Sequence, residues 1–322
     1  MNNRIFKVTL WLSILLLFGI DKLSAQSIEK IPYGDFNNWL KRTIRESVVI
    51  GGHNRILYEV GPETVIADNL PYCKIGDSPW ATSNVYAKIS GVTKASNTVF
   101  PHFREEGDIC AKLCTKMEKV KVLGTVNIEY LVAGSLFLGE VVEPITDINH
   151  PNSHINMGIK YDRRPTFLNL DYMLEVPFKT AKIKATGFAK NNGESDNNNA
   201  KIYVLLQKRW EDAEGNIHAS RVGTGGELLT NYTNWKNGHK IEIKYGDQSE
   251  NEALSWLGLK KGDDAFYAFN SKGELVKIHE DEWASADEIP THLILVIRSS
   301  CENPEEADDG TALYVDNIAL EY

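Results

Sequence analysis

Four acidic residues, in two pairs along the sequence, are candidates for acid–base catalysis. Glu140 and Glu143 follow an apolar segment, and Asp162 and Asp171 flank an Arg-Arg-Pro motif. Hydrolysis of a glycosidic bond uses two carboxylates roughly 5–10 Å apart. No motif separates an acid from a base in either pair, and carboxylates are mostly exposed in folded proteins. Solvated or structural carboxylates are therefore the favoured interpretation, and no catalytic residue is assigned.

A further acidic residue, Asp316, interrupts an apolar run. Residues Gly310–Tyr322 are rich in strand-forming side chains and predict a final β-strand. An ionised Asp is costly to bury without a partner. Asp316 is therefore either exposed on an open sheet face or held by a cation or by hydrogen-bond donors.

Other motifs of catalysis and binding are missing from the sequence. Without a Gly-x-Ser-x-Gly elbow, an esterase of that type lacks its nucleophile signal. Gly223–Gly226 lacks the following Lys and Ser or Thr of a phosphate-binding loop. His150 and His154 are separated by Pro151, which disfavours a helix with a metal-binding pair, so this segment is predicted to be a loop.

Short strands must position these side chains. Ile202–Leu206 and Leu293–Ile297 are apolar runs typical of buried strands, and Glu214–Asn216 is a turn signal that predicts a hairpin. Asn37–Glu46 is predicted to form one short helix. Many short strands without alternating helices favour an all-β sandwich. Residues 26–322 are predicted to form a single elaborated β-sandwich domain.

The N-terminal residues predict export. Arg4 and Lys7 precede the apolar run Val8–Ile20, and Ala25 ends a small-residue cleavage motif. This layout is that of a secretory signal peptide over residues 1–25, with an uncleaved anchor as the alternative. We therefore expect the protein in the periplasm or outside the cell, with no transmembrane segment after signal cleavage.

The charge of the chain argues against a nucleic-acid partner. The formal net charge is −9 at pH 7, and Lys and Arg form no basic stripe. Phosphate binding requires clustered cations, so no nucleic acid is expected to bind. The sequence leaves the oligomeric state open.

The four cysteines leave their pairing open. Export would permit disulfides among Cys73, Cys110, Cys114 and Cys301. Cys110 and Cys114 lie on one face of a predicted strand, Asp108–Thr115, and are too far apart to bridge each other. No second Cys or His pair has the spacing of a metal site. Both are therefore interpreted as buried apolar residues or as partners of remote cysteines.

Six segments together make the chain similar to a known family. They are Gly34–Trp39, Trp80–Asn84, Ala133–Gly139, Gly158–Pro165, Val296–Ser300 and Gly310–Tyr322. In this order they resemble the putative carbohydrate metabolism domain family, secreted proteins of glycan-harvesting Gram-negative bacteria. The resemblance implies an all-β jelly-roll sandwich, like that of carbohydrate-binding modules, and a link to glycans.

Within or near these segments, five side chains offer chemistry that suits a sugar. Aromatic rings stack on the apolar faces of sugars, and sugar hydroxyls need donors and acceptors. The predicted ligand-binding residues are Trp80, Asn84, Arg163, Arg164 and Tyr172. The structural alternatives are a core position for Trp80, a turn cap for Asn84 and a loop anchor paired with a carboxylate for Arg164.

The resemblance also implies one structural calcium ion where the first and last strands meet. Jelly-roll binding modules commonly hold an ion there, and calcium binds carboxylate and carbonyl oxygens. Asp35 and Asp316 are the predicted ligands. The alternative is that Asp316 only accepts hydrogen bonds.

Three functions follow as hypotheses. A non-catalytic carbohydrate-binding protein, which we favour, predicts an open aromatic groove and a glycan as the partner. A glycoside hydrolase predicts a deep cleft with two facing carboxylates. A structural or adhesion component of the cell envelope predicts an exposed apolar surface or strand edge. The identity of the sugar stays open.

The signal peptide gives the first testable prediction. Mass spectrometry of the protein from its native host should find a mature N-terminus at or near Gln26, because Leu23-Ser24-Ala25 offers the cleavage site. Recovery of intact Met1 would contradict export by cleavage.

Overall fold

Strands make up almost all regular structure of the residues that can be described. A computed structural model describes residues 27–72, 74, 76–122, 126–147, 150–177, 200–300 and 310–322. The predicted signal peptide, Cys73 and Cys301 lie outside the described residues. Within those residues, no helix has the length and apolarity needed to cross a membrane.

Eleven strands lie in the described residues up to Val141. They are β1 (Ile28–Lys30), β2 (Trp39–Arg45), β3 (Asn54–Val60), β4 (Val65–Ile66), β5 (Trp80–Thr82), β6 (Val85–Ile89), β7 (Val92–Ser96), β8 (Val99–Glu105), β9 (Asp108–Val122), β10 (Val126–Ala133) and β11 (Ser135–Val141).

Eleven more lie in the described residues from Ile155 onward. They are β12 (Ile155–Met157), β13 (Ile159–Lys160), β14 (Phe167–Glu175), β15 (Ala200–Glu211), β16 (Ile217–Leu229), β17 (Thr233–Glu242), β18 (Lys244–Tyr245), β19 (Tyr267–Phe269), β20 (Leu275–Trp283), β21 (His292–Arg298) and β22 (Ala312–Glu321). Short 3-10 helices cover Val48–Ile50, Pro151–His154, Glu252–Leu257 and Gly262–Asp264.

Two large sheets carry the architecture. The seven-stranded sheet has the order β10-β9-β22-β14-β17, with β1 paired to β22 and β8 to β9. The ten-stranded sheet has the order β13-β21-β15-β16-β20-β19-β12-β11-β5, with β18 paired to β16. Smaller sheets are β3-β2-β4 and β6-β7. Most pairings are antiparallel, so the all-β prediction is confirmed, while the jelly-roll topology stays a prediction.

The main apolar core takes residues from both large sheets. Leu313 and Val315 of β22 are fully buried in the same cluster as Val204 and Leu206 of β15 and Leu295 of β21. Side chains alternate between the two faces of a strand. The residues of β22 between these core positions therefore point to the outer face of the seven-stranded sheet.

Two local predictions have opposite outcomes. The hairpin is confirmed: β15 pairs with β16, and Gly215 in the turn has φ 94°, a conformation that glycine adopts without a Cβ clash. The helix over Asn37–Glu46 is wrong, because β2 pairs there with β3 and β4. Its buried residues Leu40, Arg42 and Ile44 recur with the period of two that a strand requires.

A buried charge network joins the small sheet to the ten-stranded sheet. Arg42 donates to Glu59 at 2.9 Å and also to Glu143, which follows β11. The hydroxyl of Thr82 in β5 donates to Glu59 at 2.9 Å. Burial raises the pKa of Glu59 to about 8; Arg42 opposes the shift and the nearby Glu143 adds to it. Glu59 therefore holds its proton more firmly than an exposed carboxyl group does.

The raised pKa of Glu59 predicts a pH-dependent stability. The folded protein keeps this proton up to about pH 8, whereas an unfolded chain releases it near pH ~4. The stabilisation is complete below the unfolded pKa and is lost as the pH rises towards the folded pKa. The amide of a Glu59→Gln variant does not titrate, so this variant does not lose that stabilisation as the pH rises. The difference in unfolding free energy, variant minus wild type, should therefore rise by at least ~1 kcal/mol when the pH is raised from 5 to 8.

Denaturant unfolding at several pH values measures this difference. Glu63→Gln, which changes an exposed carboxyl group nearby, is the matched control and should follow the wild-type curve. Parallel pH curves for Glu59→Gln and wild type would contradict the raised pKa.

Candidate functional site

Two carboxylates on the outer face of the seven-stranded sheet share one guanidinium. Asp171 of β14 is the cross-strand neighbour of Asp316 in β22. Nη1 of Arg104, from the edge strand β8, donates to Oδ2 of Asp171 at 2.8 Å and to Oδ2 of Asp316 at 2.7 Å. Nη2 of Arg104 donates to the side-chain oxygen of Asn237 at 2.8 Å. With Trp235 and Asn317, these four residues form what we call the Arg104 site.

A β-bulge in the last strand shapes the Arg104 site. Asn169 pairs with Ala319 and Asp171 with Asp316, which leaves one extra residue on β22. Asn317 adopts φ 52° there, a left-handed conformation that Asn tolerates better than most residues. Its backbone N–H donates to Asp316 at 2.8 Å, and its side-chain amide donates to Asp171 at 3.0 Å. The bulge thus places two donors of Asn317 against the two carboxylates that bind Arg104.

The environments of the two carboxylates push their pKa values apart. Burial raises the pKa of Asp316 to about 6, against the opposing effects of Arg104 and the Asn317 N–H. Burial alone would also raise the pKa of Asp171. Hydrogen bonds from the Gly238 N–H, the Asn317 amide and Arg104 outweigh it, so the pKa of Asp171 is lowered. Asp171 is therefore the carboxylate that holds its negative charge more firmly.

Aromatic rings lie beside the guanidinium. The guanidinium carbon of Arg104 lies 4.2 Å from the centroid of the Trp235 ring, which is partly exposed. The centroid of Trp235 lies 6.5 Å from that of Tyr314, and Tyr314 lies 4.9 Å from His102. The ammonium group of Lys112 is 5.0 Å from the Tyr314 ring. A partly exposed ring among amide and cationic groups is chemistry that suits a hydroxyl-rich ligand.

Three of the predicted ligand-binding residues have structural roles. Trp80, Asn84 and Tyr172 are each 1 % exposed. Trp80 and Tyr172 lie in the core between the large sheets, and the Trp80 indole N–H donates to the Pro32 carbonyl at 2.9 Å. The Asn84 amide donates to two backbone carbonyls, both at 2.7 Å. A ring enclosed by the core cannot stack on a sugar, so Trp80 has the core position of its structural alternative, and Tyr172 lies in the same core. Asn84 bridges the backbone carbonyls of Tyr58 and Val99 and does not cap a turn.

The two predicted arginines lie elsewhere. Arg164 donates to the backbone carbonyl of Ala286 at 2.5 Å and stacks on the Tyr245 ring at 4.0 Å. It anchors a loop, as the structural alternative expected, but through backbone carbonyls instead of a carboxylate. Arg163 pairs with Glu29, and its side chain is half exposed. Ligand contact by Arg163 stays a prediction.

The carboxylate pairs proposed from the sequence are separated in their roles. Glu143 is buried in the Arg42 network, whereas Glu140 is only partly buried on β11. Asp162 is exposed, and Asp171 belongs to the Arg104 site. Neither predicted pair is therefore assembled as a pair by the contacts of the described residues.

At the predicted calcium site, the cation beside Asp316 is the guanidinium group of Arg104. The first and last strands do meet, because β1 pairs with β22, and in the turn after β1 the Gly34 carbonyl accepts from the Ile318 N–H at 2.9 Å. However, Asp35 is exposed, and Asp316 binds Arg104. Within the described ranges, no group of three or more His, Cys, Asp or Glu side chains could hold a metal ion. The contacts of Asp316 with Arg104 do not fit a calcium ion held by Asp35 and Asp316.

The sequence analysis did not select Arg104, Trp235 or Asn237 as site residues. Asp316 carried the one signal that could have found Arg104, because a buried carboxylate requires a donor or cation on a neighbouring strand. That requirement does not say which of the many cations of the chain meets it.

Comparisons with known proteins agree with a carbohydrate-related family. Residues 59–321 match the family described as putative carbohydrate metabolism domain, and this range contains the whole Arg104 site. No curated protein matches the chain.

Two crystal structures, each of a putative glycoside hydrolase, resemble the chain. The one from Bacteroides thetaiotaomicron is 14% identical, with a TM-score of 0.44 over 84% of this chain and 76% of that chain. The one from Bacteroides vulgatus is 13% identical, with a TM-score of 0.40 over 91% of this chain and 94% of that chain.

The Arg104 site gives a prediction about stability. Arg104→Met should lower the unfolding free energy by about 3 kcal/mol, because two largely buried carboxylates lose their shared cation. Adding Asp316→Asn should recover part of this loss by removing one stranded charge. Arg163→Met, which breaks a half-exposed ion pair, is the control and should cost less than ~1 kcal/mol. Chemical denaturation measures all three, and equal losses for the two arginines would contradict the role of Arg104.

Proposed function

The chain belongs to the putative carbohydrate metabolism domain family, and from this premise we propose that it binds glycans at the Arg104 site without hydrolysing them. The observation that carries this proposal is the stacking of the Arg104 guanidinium on the partly exposed Trp235 ring at 4.2 Å. Two carboxylates on neighbouring strands hold that guanidinium in place. The site therefore offers a fixed aromatic ring on the outer face of a sheet.

Preorganisation supports binding at this site. Arg104 is held by Asp171, Asp316 and Asn237, so its position against Trp235 is set before a ligand arrives. Binding then costs little side-chain entropy. Asn237 and Asn317 are exposed beside the ring. Their amide groups both donate and accept hydrogen bonds, as sugar hydroxyls require.

The same geometry argues against hydrolysis by the two carboxylates. A general acid has to reach the glycosidic oxygen, and the second carboxylate has to face the sugar or a water molecule. The Asp316 side chain is 0% exposed, and its oxygens accept from Arg104 and Asn317. One nitrogen of Arg104 bonds to both Asp316 and Asp171. The raised pKa of Asp316 and the lowered pKa of Asp171 therefore reflect burial and hydrogen bonding in a structural cluster.

This function is compatible with the expectations from the sequence that remain proposals. Export to the periplasm or the cell exterior would bring the protein to polysaccharides. A jelly-roll arrangement of the two large sheets would leave the outer face of one of them for the ligand.

Affinity electrophoresis through gels that contain neutral or acidic polysaccharides tests the proposal. Trp235→Ala should weaken retention of the protein at least tenfold, because it removes the ring on which a sugar stacks. Phe103→Ala is the matched control: Phe103 is 76% exposed and neighbours Arg104 on β8 but points to the opposite face. It should be retained like wild type.

Two results would count against the proposal. Retention unchanged by Trp235→Ala would move the site elsewhere. Release of reducing ends from a retained polysaccharide would show hydrolysis.

A further inference from the structure

Three rings form a row on the ten-stranded sheet, away from the Arg104 site. Trp210 of β15 pairs with His218 of β16, which pairs with His279 of β20. The centroids of Trp210 and His218 are 5.6 Å apart with planes 13° from parallel, and those of His218 and His279 are also 5.6 Å apart. We call these residues the Trp210 row. Trp210 is 45% exposed, which is unusual for so large an apolar ring.

Carboxylates hold the middle of the row in place. One ring nitrogen of His218 lies 2.7 Å from Asp281, and the other lies 3.3 Å from Asp212. Asp212 is itself fixed, because it accepts from the backbone N–H groups of Glu214 and Asn216 in the hairpin turn. These carboxylates raise the pKa of His218, Asp281 having the larger effect. The imidazole beside Trp210 is therefore a positioned ring.

A cleft of about 320 Å³ adjoins the row and shares His279 and Asp281 with it. Lys261 and Lys277 line the same cleft. Glu280 forms part of its lining but is 1% exposed and bound by Arg221. The volume lies within the range of small-molecule sites.

The charges around the cleft are matched within the protein. The Lys261 ammonium donates to the Asp281 carbonyl at 3.0 Å, and the Lys277 ammonium lies 3.8 Å from Asp263. The Asp281 carboxylate faces His218. The cleft therefore presents both donors and acceptors without a strong excess of either charge, which suits the hydroxyls of an uncharged ligand.

We propose that the Trp210 row and its cleft are a second carbohydrate-binding site, which takes neutral sugars. A sugar ring stacks on Trp210, and its hydroxyls reach the donors and acceptors of the cleft, such as Lys261, His279 and Asp281. The site is independent of the Arg104 site, because the two lie on different sheets and share no residue. One chain then holds two sugar segments, and this raises its affinity for long polysaccharides through avidity.

Calorimetric titration with defined hexasaccharides tests this inference. The probes are the hexasaccharides of β-1,4-glucose, β-1,4-xylose, β-1,4-mannose and α-1,4-glucose. Wild type should bind two equivalents of at least one of them, and Trp210→Ala should bind one. Trp210→Phe keeps an aromatic ring and should return to two. Because Trp210 is largely outside the core, Trp210→Ala should melt like wild type, and Phe103→Ala should keep both equivalents.

The variants separate this inference from the proposed function. If wild type binds only one equivalent, and this binding is lost in Trp235→Ala but kept in Trp210→Ala, the second site is overturned and the Arg104 site is supported. If wild type binds only one equivalent, and this binding is lost in Trp210→Ala but kept in Trp235→Ala, the Trp210 row is supported and the Arg104 site is overturned. Binding of none of the four hexasaccharides would overturn the inference for neutral sugars. The retention assay then judges the Arg104 site by itself.

Discussion

A carboxylate in a central strand has to be neutralised, and much of the seven-stranded sheet is arranged around that requirement. Asp316 lies in β22, between β9 and β14, where its side chain is closed to water. An unpaired buried charge costs several kcal/mol. Strand β8 brings Arg104 to the outer face, β14 brings Asp171 into register, and the N–H of Gly238 in β17 caps Asp171 at 2.6 Å. Four strands thus meet at one ion cluster.

Guanidinium groups solve the same problem at two other places. Arg221 binds Glu280 through two nitrogens, both at 2.6 Å, and Arg42 links Glu59 to Glu143. The planar fork of Arg fits carboxylates in a way that the single ammonium of Lys does not. Each network joins residues far apart in the sequence. Buried ion pairs add little net stability, so their effect in this fold is to penalise arrangements that would leave one member unpaired.

The sequence predicts those features that depend on local pattern. The final strand, the need of Asp316 for a partner and the hairpin at Gly215 follow from neighbouring residues. Burial is different: Trp80 has the chemistry of a sugar-binding ring, but the packing of the second sheet encloses it. The sequence does not predict the contacts of Arg104, because Arg104 lies 67 positions from Asp171 and 212 from Asp316 in the chain. No local period encodes contacts of that separation, and β2 was misread as a helix because its partners lie outside the segment itself.

The position of β22 also bears on the order in which the sheet can be completed. This strand pairs with β1, β9 and β14, which all precede it in the chain. Until β22 has been synthesised, β9 and β14 each lack a neighbour and expose backbone groups that could pair with another molecule. Contacts between distant segments also form slowly, since the intervening chain has to be ordered first. The seven-stranded sheet is therefore complete only once β22 is available, and an earlier nascent chain leaves the edges of β9 and β14 open to pairing with other molecules.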